Sequence, residues 1–187
     1  NGSCVSQSTV SIAFSYSPAA PLAFSTAQTT VCQSSSNIIY TIPIVSGATS
    51  YQWSYSGTGA TITGTSNSVL VSYNSTATSG TLSVSAVNGC GVGSTRNLAI
   101  TVTPTPIATF SYTGDPYCQN NTNPLPTFSG GGVAGVFSST AGLVFVSTAT
   151  GEVDLIASTP GTYTVTNTIA AAGGCATIVA TSSITVY

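Results

Sequence analysis

The chain has no histidine, no lysine and no methionine, and only four of its 187 residues carry charge: Arg96, Asp115, Glu152 and Asp154. Each absence excludes something. Nucleic-acid binding requires Lys and Arg to neutralise phosphates, and one Arg cannot do it. An anionic membrane surface demands a basic patch for the same reason. Without His, neither a Ser-His-Asp nor a Cys-His nucleophile can be built in the usual way. A Cys/His zinc site loses half of its ligand set, and the cysteines do not fall in C-x₂-C pairs. No apolar run approaches the ~20 residues that span a bilayer. With no Lys, Lys–Asn isopeptide cross-links are impossible; a Thr–Gln ester at Gln33 or Gln119 would be the remaining unusual staple.

What is present is hydroxyl and β-forming side chain. Ser and Thr make up about a third of the chain, hydrophobic residues 42%, and nineteen Gly and nine Pro punctuate them. Val, Ile, Thr, Tyr and Phe suit a pleated, half-buried surface. Short alternating runs separated by Gly, Asn and Ser turns predict an all-β fold. In the first half the expected strands include "PLAFSTA", "NIIYTIPIV", "YQWSYSG", "ATITG", "SVLVSYN", "TLSVSAV" and "RNLAITV". In the second they are "PLPTFSG", "GVFSS", "LVFVS", "EVDLIAS", "TYTVTNTI" and "ATIVATSSITV". None shows a helical period.

The five cysteines reveal a repeat. Cys4 to Cys32 and Cys90 to Cys118 are both 28 residues apart, while Cys4 to Cys90 is 86 and Cys90 to Cys175 is 85. "NGSCVSQSTVSIAFSYSPAAPLAFS" aligns with "NGCGVGSTRNLAITVTPTPIATFS", placing Pro18 on Pro104, Phe24 on Phe110 and Ser25 on Ser111. A third copy, "GGCATIVATSSITVY", closes the chain. A period near 85 residues is the size of one small β-sandwich. The expected organisation is residues 1–17 as the last strand of a preceding repeat, then immunoglobulin-like repeats over 18–103 and 104–187. The strand at Val5 to Tyr16 is read as the end of a cut array; the competing reading is a strand donated to another chain. Pro104 and Pro106 make the linker between repeats short and stiff.

Regularly spaced cysteines point to an oxidising compartment. The expected bridges are Cys32–Cys90 and Cys118–Cys175, each within one repeat, with Cys4 unpaired or bonded in a missing domain. The alternative, Cys4–Cys32 and Cys90–Cys118, places a folded sandwich between positions that must come within about 7 Å. The intra-repeat choice has its own difficulty: in a simple immunoglobulin strand order Cys32 precedes the second strand and Cys90 follows the sixth.

These residues carry a family resemblance. "VCQSSSNIIYTI…GATSYQW…LSVSAVNGCG" resembles the PKD-like, immunoglobulin-like domains of large surface proteins of gliding bacteria. "YCQNNTNPLPTFSGGGVAGVFSSTAGLVFVSTATGEVDLIASTPGTYTVTNTIAAAGGC" resembles a tandem repeat of giant cell-surface adhesins of Bacteroidota. The resemblance implies an outer-surface location, export by the type IX secretion system, and a role in adhesion or gliding. It supplies no catalytic residue. The implied partners are neighbouring repeats and a surface polysaccharide or other adhesion target, with no cofactor.

Other motifs have plainer readings. Trp53, flanked on its face by Tyr51 and Tyr55, is read as a core aromatic rather than a sugar platform. Glu152 and Asp154 share a strand face beside a turn and are read as solvated, not as a catalytic pair. Asp115 in "TGDPYC" is the candidate for a weak interdomain calcium site, although Asp-Pro is ordinary turn chemistry. Ser129 to Gly135 lacks the Lys of a phosphate loop and is read as a turn with positive φ. The leading functional expectation is a structural and adhesive repeat segment that extends a binding tip from the cell. A strand-donating filament subunit and a carbohydrate-binding module are the alternatives.

Overall fold

The computed structural model describes residues 16–187, and they are all β, with no helix among them. Of the strand expected over Val5 to Tyr16, only Tyr16 belongs to the described residues. Two separate apolar cores organise the chain. The first draws on side chains between Val31 and Val102, the second on side chains between Phe110 and Val186.

The first core lies between two sheets. One is built from β1 (Thr30–Cys32), β3 (Ser50–Tyr55), β6 (Gly80–Asn88), β7 (Gly91–Val92) and β8 (Arg96–Thr103), in the order β1-β8-β6-β3 with β7 paired to β6. The other is β2-β5-β4, from β2 (Ile38–Thr41), β4 (Ala60–Thr63) and β5 (Ser68–Tyr73). Alternation explains the layering. Along β5, Val69, Val71 and Tyr73 point inward, while Leu70 is exposed between them, as the two-residue period of a pleated strand requires. β1 runs parallel to β8, with Val31 opposite Val102 and Cys32 opposite Thr103. The expected strand at "PLAFSTA" is reduced to a single bridge between Thr26 and Thr41. Arg96, the chain's one cation, donates from Nε to the Pro21 carbonyl at 3.0 Å and holds this segment down.

The second core is framed by three small sheets. β9 (Phe110–Ser111) pairs β10 (Thr127–Phe128), and β12 (Val144–Ser147) pairs β13 (Glu152–Asp154). β11 (Val136–Ser139), β14 (Gly161–Ile169) and β15 (Ile178–Val186) form the sheet β11-β14-β15. Tyr117 bridges Val186 in parallel, as Val31 does Val102. Phe110 and Phe137 meet edge to face at 5.2 Å between ring centres, a favoured aromatic geometry. In the loop before β11, Gly130 and Gly131 take φ of 61° and 83°, the positive-φ turn read from "SGGGVAG".

Two buried polar devices hold these cores together, and no buried side-chain nitrogen or oxygen among the described residues lacks a partner. Asn167 is 0% exposed. Its Nδ2 donates to the carbonyls of Ala108 and Val133, both at 2.9 Å, and its Oδ1 accepts the Gly135 N–H at 2.7 Å. It ties the loop segments beside β9 and β11 to the central strand. Replacing Asn167 with Leu strands two carbonyls and one N–H, at about 1–3 kcal/mol each. Urea unfolding of Asn167→Leu should show a loss of roughly 3 kcal/mol or more; a loss under about 1 kcal/mol would contradict this role.

In the first core the buried Tyr40 and Tyr73 hydroxyls lie 3.1 Å apart, and Tyr40 donates to the Gln28 carbonyl at 2.9 Å. Tyr73 therefore donates to Tyr40. Burial pushes both phenols above the ordinary value of 10; for Tyr73 the bond to Tyr40 pushes the same way, and for Tyr40 it works against burial. The folded state thus keeps protons that the unfolded chain gives up near pH 10. This contribution is complete below pH 10 and is lost as pH rises from there toward the folded values. Unfolding free energy should fall with pH above about 10, with tyrosinate absorbance appearing together with unfolding. Tyr73→Phe should cost about 1 kcal/mol at neutral pH and flatten that alkaline slope; an unchanged slope would contradict the assignment.

Candidate functional site

The most elaborated structure in the chain is the joint between the two cores, and a disulfide crosses it. Cys32 is bonded to Cys175, with Cα atoms 4.7 Å apart and 143 residues between them in sequence. This corrects the expected intra-repeat pairing. Cys32 ends β1 beside Thr103, the last residue of β8, whereas Cys90 lies in the turn after β6, at the other end of the same sheet. A strand of eight residues separates those ends by roughly 25 Å, against the few ångströms a disulfide tolerates. The same argument separates Cys118 from Cys175. Cys118 follows Tyr117, the partner of Val186, while Cys175 lies in the turn between β14 and β15 at their opposite end. Among the described residues, Cys90 and Cys118 are exposed and have no disulfide partner.

The joint is built from short, small and hydroxylated residues. Beyond β8 the chain continues through Pro104, Thr105 and Pro106. The Thr103 hydroxyl donates to the Val31 carbonyl at 3.1 Å and also reaches the Gly173 carbonyl of the second unit. Thr105 Oγ1 donates to the Gln33 carbonyl at 3.0 Å and sits 3.5 Å from the Cys32 sulfur. On the facing side, Ala172 and Cys175 close a tight turn through paired backbone hydrogen bonds. Gly173 and Gly174 occupy that turn at φ of 56° and 79°. A Cβ on Gly174 would stand 2.7 Å from the Thr30 carbonyl oxygen and 2.8 Å from Val31 Cα. Glycine is required there twice over, for the backbone conformation and for the close approach of the turn to β1. Both bonded cysteines are 7% exposed, so the joint excludes water around the sulfurs.

The joint also fixes how the units follow one another. The first unit meets the second at the Cys32–Thr103 end of its sheet, and the chain enters that unit at the opposite end, where Asn88 Nδ2 donates to the Tyr16 carbonyl at 2.8 Å. The second unit meets the first through its β14–β15 turn, and its opposite end carries Tyr117 and Cys118. The arrangement is end to end.

A second feature is a cleft of about 690 Å³ lined by Trp53, Ile62, Thr65, Val84, Ser85 and Val92, among others. The polar handles of its aromatics are already used internally. Trp53 Nε1 donates to the Ser66 carbonyl at 2.9 Å, and Tyr51 accepts the Val45 N–H at 2.9 Å. Trp53 is half-buried, packs against the first core and meets Phe24 edge to face at 6.0 Å. Tyr55 donates to the Thr78 carbonyl at 2.8 Å.

Two of the carboxylates accept backbone N–H groups, one in a local turn and one across the second unit. Asp154 Oδ1 accepts the Ala157 N–H at 3.0 Å, and Asp115 Oδ1 accepts the Thr185 N–H. No group of three or more His, Cys, Asp or Glu is gathered among the described residues. Gln33 and Gln119 each donate to a backbone carbonyl, of Ala77 and Ser158. Sequence reasoning missed Thr103, Thr105, Gly173 and Gly174. The signal was available in part: a Gly immediately before the cysteine recurs in "NGC" and "GGC".

Comparison with known proteins places residues 17–100 in a match to the PKD-like domain family. No curated protein matches. Among solved structures, the chain is similar to the EC1-2 segment of human mucin-like protocadherin, at 9% identity and a TM-score of 0.39, covering 88% of this chain and 97% of that one. It is also similar to a SusE-like surface-located polysaccharide-binding protein from the Bacteroides thetaiotaomicron heparin utilisation locus, at 14% identity and a TM-score of 0.32, covering 83% of this chain and 32% of that one. At those scores neither structure informs the function of this chain.

Removing the joint's bond should free the units without unfolding them. In Cys32→Ala/Cys175→Ala, near-UV circular dichroism should keep its native form, while small-angle X-ray scattering should show a broader spread of inter-unit distances. Complete unfolding in urea should become easier by up to about 5 kcal/mol, the loop-entropy value for so long a closed loop. An unchanged scattering profile would mean that the remaining contacts alone fix the joint.

Proposed function

We propose that this chain is a spacer segment of an extracellular, adhesin-type surface protein, holding a binding element away from the cell. The observation that carries it is the cross-boundary disulfide. A bond that joins the exit end of one sandwich to the entry end of the next adds nothing to a catalytic or ligand site. It stiffens a row of units against bending and limits their separation under load. Other features support the same reading. The PKD-like match covers most of the first unit. Persistent disulfides belong to oxidising compartments outside the cytosol. The surface is wetted by hydroxyls rather than charge, leaving little for electrostatic recognition of nucleic acid or anionic lipid. Export by type IX secretion and a role in gliding belong to this proposal through the sequence resemblance alone.

The test is the size of the parent polypeptide, reduced and denatured, detected with an antibody to residues 18–187. The expected result is a band far above 18.5 kDa, the mass of this segment. A native product near that mass would overturn the spacer reading and favour a self-assembling subunit. Trp53 is the chain's one tryptophan, so its fluorescence also reports on the cleft. Titration with surface polysaccharide should leave it unchanged; a saturable shift would favour a carbohydrate-binding module.

A further inference from the structure

The two exposed cysteines occupy the same structural positions as the two bonded ones. Cys118 corresponds to Cys32. Tyr117 bridges Val186 as Val31 pairs with Val102, and the Gln119 N–H donates to the Tyr187 carbonyl at 3.0 Å as the Gln33 N–H donates to Thr103 at 2.8 Å. The side chains of Gln119 and Gln33 both turn back to a carbonyl of their own unit. Cys118 therefore stands at the exit end of the second unit as Cys32 stands at the exit end of the first.

Cys90 corresponds to Cys175. Both lie in the turn between the long central strand and its antiparallel neighbour, each following a glycine. In the formed joint, that turn touches the chain arriving from the previous unit, through Thr103 and Gly173. At the entry end of the first unit, Asn88, two residues before Cys90, also touches the arriving chain, there with its side-chain amide donating to the Tyr16 carbonyl. The equivalent of Gly174 is Gly89. Its backbone φ is outside the left-handed region, and a Cβ there would meet nothing within 4 Å. Nothing among the described residues requires a glycine at Gly89; a strand packed as β1 packs on Gly174 would.

We propose that Cys118 and Cys90 are the two halves of further joints of the Cys32–Cys175 kind, Cys118 bonding the turn cysteine of a following repeat and Cys90 the strand-end cysteine of a preceding one. The partner in each case is another copy of the same sandwich. The inference rests on the repeat reading. It converts one clamp into a ladder, with a disulfide across every boundary and none within a sandwich. Forming each rung joins two thiols through one S–S bond and releases two protons and two electrons. A small-molecule disulfide such as oxidised glutathione accepts them and leaves as two thiols.

The test is a tandem fusion in which a second copy of residues 18–187 follows Tyr187. Joining Tyr187 to Pro18 recreates the Thr103–Pro104 junction. The protein is folded with oxidised and reduced glutathione, alkylated with iodoacetamide and mapped by mass spectrometry. Cys118 of the first copy and Cys90 of the second should be protected and joined to each other. Cys90 of the first copy and Cys118 of the second should be fully alkylated. Cys118→Ser in the first copy should expose Cys90 of the second. If both copies form Cys32–Cys175 while the central pair stays alkylated, the ladder is overturned and the repeat reading survives. If the second copy fails to form its own Cys32–Cys175 bond, the repeat reading fails and takes the proposal with it.

Discussion

The arrangement of this chain depends on one covalent constraint, the Cys32–Cys175 bond across the boundary between its two cores. Each core is complete in its own apolar packing and its own buried polar bonds. What relates them is a short Pro-bearing segment, a few threonine hydroxyls and the disulfide. The linker alone restricts φ at two positions but leaves other torsions free. The disulfide adds a second attachment on the other side of the joint, and two attachments make a hinge far stiffer than one.

The same constraint explains the local chemistry of the joint. A turn can approach another unit's strand closely only if it carries no side chain at the point of contact, which places Gly173 and Gly174 before Cys175. A strand end can accept the turn only if its own hydrogen bonds are complete, which gives Thr103 and Thr105 their hydroxyls. In a chain this poor in charge, hydroxyl-to-carbonyl bonds do the work that ion pairs would do elsewhere. They are insensitive to salt and to pH across the neutral range.

Much of the fold was legible in the sequence because β patterning is local. The alternation in "SVLVSYN" and "TYTVTNTI" reports which side of each strand meets the core, and strands form at both. The repeat reading came from cysteine spacing, which is countable. The disulfide pairing was not legible. It depends on which end of a sheet each cysteine occupies, and that follows from strand order and direction, which spacing does not encode. Cys32 and Cys90 look like partners when the chain is read as a line; the antiparallel course of β6 and β8 puts them at opposite ends. The role of Asn167 was invisible for a related reason. The alternation of its strand places it on the inward face with Tyr163 and Val165, but its three partners belong to loops folded over it, which no strand pattern encodes. Short strands such as β1 and β7 fell below the length at which periodicity signals anything.

The most direct test of the central claim is a non-reducing peptide map of the oxidised chain. Its single arginine makes trypsin useless, so pepsin at low pH is the suitable protease, which also suppresses thiol exchange. The account predicts one dominant cross-linked species joining a peptide that contains Cys32 to one that contains Cys175, and it disappears on reduction. Species joining Cys32 to Cys90 and Cys118 to Cys175 in its place would contradict the account, because the staples would then lie within the units and the joint would be a free hinge.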